Sequence, residues 1–238
     1  LRLLLLVAHP DDAEFRAGGL MAKYRAAGHT VKIISLTNGD AGHHELPRAD
    51  LAERRKTEAQ AAAAILNLEY EIWDHHDGEL EPTLDLRWQV IRAIREFGPD
   101  LVLGHRPDDY HPDHRYTSVL VQDSAYMVTV PNICTDTPVL SHNPVIAYLS
   151  DTFEKPYPFS PDVAVDIDDV VDKKIDMLHC HTSQMYEWLP YNAGRLDEVP
   201  NSPQDRRKWL EHRLAEFEGV AKRYRDLLIA RYGEERGS

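Results

Sequence analysis

The sequence predicts an α/β fold: a Rossmann-like, mostly parallel sheet with helices on both faces, plus a C-terminal helical extension. Three observations predict it. Apolar runs alternate with helical patterns through residues 1–150. The run Leu3–Val7 is apolar throughout, as a strand buried on both faces requires. Gly28 stands where a helix C-cap belongs, and Gly98-Pro99 stops a later helix.

In order, the strands are expected at Arg2–Val7, Thr30–Leu36, Glu69–Trp73, Asp100–Leu103 and Pro144–Leu149. Helices are expected between them at Glu14–Ala27, Arg48–Leu66, Leu86–Phe97 and Pro112–Tyr126. Strand–helix–strand repetition implies right-handed crossovers, and a doubly wound sheet sets the first and fourth strands side by side. After this core (1–150) the pattern loosens. Pro156 to Pro161 reads as a connection, Val163–Ile167 as a further strand, and Asp168–Met185 as a helix opened by acids. Arg206–Tyr232 reads as one long helix with apolar positions at Leu210, Leu214, Phe217, Ala221, Tyr224 and Leu228. The whole of 1–238 is expected to form a single domain, with 151–238 packed on the core.

Composition removes several function classes. The net charge of −13 and the lack of a Lys/Arg stripe argue against a nucleic-acid partner, which needs a basic face. The same acidity disfavours an anionic membrane surface, and Leu1–Ala8 is too short to span a bilayer. Cys134 and Cys180 form neither a CxxC pair nor a disulfide framework, so a reducing cytoplasm is the expected setting. The chain begins at Leu1 rather than Met, and its oligomeric state is left open.

Two clusters carry the chemistry. Ala8-His9-Pro10-Asp11-Asp12-Ala13-Glu14 follows the first strand, and His111-Pro112-Asp113-His114 follows the fourth. If those strands are neighbours, both clusters reach one crevice at the strands' carboxyl ends. His9 and Asp12, three residues apart on a strand-to-helix turn, can face one cation, and His114 is the best third ligand. Nitrogen and oxygen ligands with one corner left for water describe a catalytic zinc site, one Zn2+ per chain. Asp11 is then the expected general base, His111 the donor to the developing oxyanion, and Asp113 the carboxylate that orients a histidine. A lone His-Pro-Asp is more often just a helix N-cap, since Asp is a favoured cap. Two such clusters at strand ends weigh against that reading.

AHPDDAEF with Gly18-Gly19, TNGDAG at Thr37–Gly42 and HPDHR at His111–Arg115 closely resemble the PIG-L (LmbE-like) N-acetylglucosamine deacetylases. Weaker landmarks are Arg55-x-x-Glu58, Asp77-Gly78-Glu79-Leu80, and Lys174 through His181-x-Ser183-Gln184. The resemblance implies zinc rather than a dinucleotide in a Rossmann-like fold, the same ligands and catalytic pair, and a small-molecule N-acetyl amino sugar or glycoconjugate as substrate. It also implies Arg55 and His181 on the substrate side. His44 joins them because it follows the TNGDAG turn, while His43, His75 and His76 are expected on the rim and His105 as a structural support. Two departures stand out: Arg16 replaces the small or apolar residue expected before the glycine pair, and Tyr110 is not where a catalytic tyrosine of the family would fall.

Other readings are weaker. A metal phosphoesterase commonly needs a second cation, and the carboxylates for one are thin. A nucleotide-binding module lacks GxGxxG, and Asp11 and Asp12 would repel a pyrophosphate. A non-catalytic metal or sugar binder has no use for Asp11. No GxSxG elbow supports a serine nucleophile.

Overall fold

The structure is a computed structural model that describes residues 1–217 and 224–237. Its centre is β1 (Arg2–Val7), whose side chains Leu3 to Val7 are all fully buried. Successive side chains of a strand point to opposite faces. Leu3, Leu5 and Val7 accordingly enter one core, while Leu4 and Leu6 enter another.

Five parallel strands run in the order β3-β2-β1-β4-β5, with β2 at Thr30–Thr37, β3 at Glu69–His75, β4 at Leu101–Gly104 and β5 at Val145–Tyr148. Leu3 pairs with Val31 on one side and Leu101 on the other, so β1 and β4 are neighbours, as expected. Helices α1 (Asp12–Ala26) and α2 (Arg48–Leu66) cover one face through Ala13, Ala17, Met21, Ala59 and Ala62. Helices α3 (Leu84–Phe97) and α4 (Pro112–Ala125) cover the other through Val90, Ile91, Ile94, Leu120 and Val121. Helix α3 starts two residues before the expected Leu86 because Thr83 caps it, its side chain accepting the Leu86 N–H at 3.3 Å. Helix α1 likewise starts at Asp12 instead of Glu14.

The C-terminal third needs three corrections. Val163–Ile167 is not a strand. Within it the Asp166 N–H donates to the Tyr232 hydroxyl at 3.1 Å, and just beyond it the Asp168 N–H donates to Asp166 Oδ1 at 3.0 Å. Asp168–Met185 is not one helix but α5 (Val171–Cys180), opened by a 3₁₀ turn and followed by a π-helical turn at Gln184–Trp188 and the short α6 (Leu189–Asn192). Within Arg206–Tyr232 the described residues form α7 (Pro203–Phe217) and a separate helix, Arg225–Tyr232, which begins after the non-helical Tyr224. Ala221 and the side chain of Phe217 lie outside the described residues. Leu210 is buried with Leu178, Met185 and Tyr186, which docks α7 on α5.

The glycine pair on α1 is explained by close approach. A Cβ on Gly18 would lie 2.8 Å from Lys174 Cγ, and one on Gly19 would lie 2.6 Å from Ile167 Cγ2. Among the described residues no helix is long and apolar enough to cross a membrane.

Candidate active site

The turn after β1 is tightly held. The Ala8 carbonyl accepts the Thr37 N–H (2.9 Å), the Thr37 hydroxyl (2.8 Å) and the Ser35 hydroxyl (3.0 Å). The Ala8 N–H donates to His105 Nε2 at 3.1 Å. The chain then turns through His9, whose carbonyl accepts from the Asp11 N–H at 2.9 Å and whose own N–H donates to Asp12 Oδ2 at 2.8 Å. Asp11 occupies the N-cap position of α1 yet makes no capping hydrogen bond with its side chain. The cap explanation for this carboxylate therefore fails. It lies instead 3.0 Å from Arg55 Nη2.

The second cluster starts α4, with Pro112 in its first turn and the N-cap His111 accepting the Asp113 N–H on Nδ1 at 3.2 Å. The β1–β4 adjacency brings the clusters together. His9 Nδ1 lies 3.2 Å from His114 Nε2 and 3.4 Å from Asp12 Oδ2, and His114 Nε2 lies 3.4 Å from Asp12 Oδ1. The His111 ring stands edge-on to His9, with centroids 4.6 Å apart.

Behind this focus, carboxylates grip the far nitrogens. His9 Nε2 is 3.2 Å from both Asp113 Oδ2 and Asp77 Oδ1, and His114 Nδ1 is 2.9 Å from Asp109 Oδ2. A carboxylate only accepts, so these nitrogens carry protons and turn Nδ1 of His9 and Nε2 of His114 toward each other at the focus. Asp113 is itself fixed by the N–H groups of Gly78 (2.7 Å) and Leu80 (3.3 Å).

The donor set fits a divalent metal. Two ligand atoms bound to one tetrahedral zinc are about 3.3–3.4 Å apart, given bond lengths near 2.0–2.1 Å. The His9–His114 separation of 3.2 Å is close to that spacing. Asp12 meets His9 through Oδ2 and His114 through Oδ1, each at 3.4 Å. Among the described residues, the donor atoms that converge with one atom per side chain include the sets His9, His111, His114 and Asp12, His105, His114. The proton affinities agree. Burial pushes His114 down, but Asp12 and Asp109 beside it drive it up to about 9. Burial opposes the charge on His9 too, yet Asp113, Asp12 and Asp77 hold its pKa well above the usual histidine range. Burial raises Asp12, and the flanking His114 and His105 overcome it to hold the carboxylate well below its ordinary value. A buried point that concentrates this much attraction for positive charge is suited to a cation. Asp11 goes the other way: burial lifts its pKa against the opposing pull of Arg55.

Matching this sequence to protein families, the pattern described as PIG-L: GlcNAc-PI de-N-acetylase covers residues 4–125, just over half the chain. The chain belongs to the PIG-L family. This PIG-L protein is 30% identical to a diacetylchitobiose deacetylase of Thermococcus kodakarensis over 203 residues, 80% of this chain and 74% of that one. It is 28% identical to a 4-oxalmesaconate hydratase of Pseudomonas putida over 201 residues, 81% and 78% of the two chains. The N,N'-diacetylchitobiose deacetylase structure from Pyrococcus horikoshii superposes with a TM-score of 0.71 at 25% identity, covering 83% of this chain and 76% of that one.

Among the expected site residues of this PIG-L protein, the structure gathers His9, Asp12, His114, His111 and Asp113. Three others sit differently. Arg55 is 2% exposed and donates to the Gly39 carbonyl at 3.0 Å as well as facing Asp11, so it braces a catalytic candidate instead of presenting itself to a ligand. His181 is 0% exposed, its Nε2 3.3 Å from the equally buried Glu14 Oε1, and no surface is left for substrate to touch. His44 is stacked between His43 and Tyr191, with centroid distances of 4.8 and 4.0 Å. It forms part of a wall. Sequence reasoning missed Asp77 and Asp109. Asp109 had a signal, an acid two positions before the HPDH cluster; Asp77 stood in the Asp-Gly-Glu-Leu landmark with nothing to tie it to His9.

Proposed function

We propose that this PIG-L protein is a zinc-dependent amidohydrolase that removes the N-acetyl group from an N-acetylated amino sugar or its conjugate. His9, Asp12 and His114 are its metal ligands. The observation that carries the reading is the approach of His9 Nδ1 to His114 Nε2 at 3.2 Å, with an Asp12 oxygen 3.4 Å from each and the opposite nitrogen of each histidine held by carboxylate. Similarity to a diacetylchitobiose deacetylase supports the substrate class.

Bound there, a divalent ion supplies Lewis acidity and brings the pKa of a water down to about 7. Asp11 is the general base. It makes no cap hydrogen bond, Arg55 orients it, and burial favours its taking a proton. His111 accepts the Asp113 N–H on Nδ1, so its neutral ring carries the proton on Nε2, ready to donate to the acyl oxygen as negative charge develops. Asp77, Asp109 and Asp113 keep the two ligand rings in one tautomer. The water oxygen bonds to the acyl carbon, the amide C–N bond then breaks, and the proton taken by Asp11 passes to the leaving nitrogen. Acetate and a free amine are the products.

A second reading is hydration of an unsaturated oxo acid, because the Pseudomonas putida hydratase matches this chain over a similar length. The test is metal quantification on purified protein, then acetate release from a panel of N-acetyl hexosamines beside panels of phosphate esters and unsaturated oxo acids. Acetate release that depends on about one zinc per chain is the expected result. Phosphate release or hydration without acetate, or protein that neither holds nor regains a transition metal, overturns the proposal. Asp11→Asn should abolish turnover while metal stays bound.

A further inference from the structure

Arg16 is the departure in the first cluster that the chemistry above leaves unused. It follows Asp12 by four residues on α1, so the two share a helix face, and helical side chains lean back toward the N-terminus. The guanidinium is thereby carried toward the end of α1 that holds Asp11 and Asp12. Arg16 is exposed, and its contact is the ring of Phe15, 5.5 Å away.

Tyr110 shares this mouth. It is 69% exposed, with its ring centroid 6.2 Å from His111 and 6.4 Å from His114. It lies nearly parallel to Phe153 at 4.8 Å and 22°, which makes a two-ring shelf beside the ligand cluster. Asp12, four residues before Arg16, lies 3.4 Å from His114, whose ring Tyr110 borders, so Arg16 and the shelf flank the same cluster.

The neighbouring cations are engaged. Arg55 faces Asp11, and Arg106 grips Asp151 through two hydrogen bonds of 2.6 and 2.7 Å. Arg115 donates to the carbonyls of Asp109 and Tyr110 at 2.9 and 2.8 Å. Of these four arginines, Arg16 is the one with no carboxylate or carbonyl partner among the described residues. In a chain of net charge −13, a free guanidinium at the mouth is a device for receiving an anion.

We propose that the substrate carries a carboxylate or phosphate received by Arg16, with its sugar ring on the Tyr110–Phe153 shelf; the sugar rests on the deacetylase reading. An acidic acetamido sugar is then preferred over a neutral chitin fragment. Aromatic faces offer a sugar its apolar contact, and the guanidinium adds the charge-assisted hydrogen bond that separates acidic from neutral rings.

The test compares N-acetylglucosamine with its 6-phosphate and with N-acetylmuramic acid, using zinc-loaded wild type, Arg16→Ala and Arg16→Lys. The wild type should favour an acidic sugar in kcat/KM by about tenfold, the scale of one charge-assisted hydrogen bond. The preference should fall to near unity in Arg16→Ala, survive in part in Arg16→Lys, and shrink with added salt. A preference for the neutral sugar, or one unchanged in Arg16→Ala, overturns the assignment. Calorimetric binding of glucosamine 6-phosphate against glucosamine separates the two proposals. If no sugar releases acetate, the deacetylase reading falls, while phosphate-dependent binding that Arg16→Ala weakens still supports the anion site. Binding that Arg16→Ala leaves unchanged removes it.

Discussion

Arg55 Nη2 lies 3.0 Å from Asp11 Oδ1, and the same guanidinium donates through Nη1 to the Gly39 carbonyl at 3.0 Å. One buried cation thus ties α2 both to the turn after β1 and to the loop after β2. The carboxylate assigned as general base is positioned from behind, by a residue that solvent barely reaches.

Removing that brace should cost both rate and stability. Arg55→Met strands a buried carboxylate, and breaking a buried pair from one side costs about 3–5 kcal/mol. Misplacing the base should lower kcat by about 100-fold or more. Arg55→Lys keeps the charge but loses the forked geometry, so it should recover stability better than rate. Denaturant unfolding and steady-state kinetics at equal metal content check this; wild-type kcat in Arg55→Met would refute the brace.

Gly39 exists for the same contact. Its φ is +70°, and an added Cβ would lie 2.6 Å from both Cζ and Nη1 of Arg55. Gly39→Ala combines left-handed strain with a clash against an anchored side chain and should destabilise by about 1–3 kcal/mol. It should also reduce kcat through Arg55. A thermal midpoint equal to wild type would count against it.

Asp109 should matter for metal affinity more than for folding. It fixes His114 at 2.9 Å, and losing such a support typically weakens metal binding by about 10–100-fold. Competition of Asp109→Asn against a chromogenic chelator measures this. Stripping metal from the wild type should lower its thermal midpoint, since a ligand that binds only the folded state at a thousand times its Kd stabilises by about 4 kcal/mol. An unchanged midpoint after verified stripping would contradict the assignment.

The contact between α2 and the π-helical turn should be acid-sensitive through Glu187. Its carboxylate meets Arg54 Nη2 at 2.5 Å and His43 Nε2 at 2.9 Å. Burial raises its pKa, but hydrogen bonds from Arg54 and His43 win and hold it below the ordinary range. A depressed carboxylate contributes stability that is full above its unfolded pKa of about 4.3 and is lost as pH falls through the folded value. Stability curves of wild type and Glu187→Gln should therefore separate at neutral pH and converge in acid. Curves that stay parallel down to pH 3 would show that the Glu187 charge contributes nothing.

The sequence by itself determined the layered fold, and the fold class made the meeting of the two clusters an expectation that the β1–β4 pairing fulfils. Five strand segments alternating with helices leave few topologies, the apolar run Leu3–Val7 marks β1 as central, and the doubly wound fold class led to the expectation, met in the structure, that β1 and β4 are neighbours. His9, Asp12 and His114 were legible for that reason: each follows a strand whose place was already constrained. Only the tertiary structure decided which groups stand behind them. Asp113 reaches His9 from 104 residues away, Arg55 turns inward to Asp11, and His181 closes on Glu14 instead of facing the crevice. Val163–Ile167 looked like a strand because β-branched composition reports burial preference, while a neighbour for its backbone is a property of the assembled chain. Periodicity is local, so it encodes which face of an element is apolar. The direction of a charged side chain depends on what the loops bring opposite it, and that pairing has no period to read.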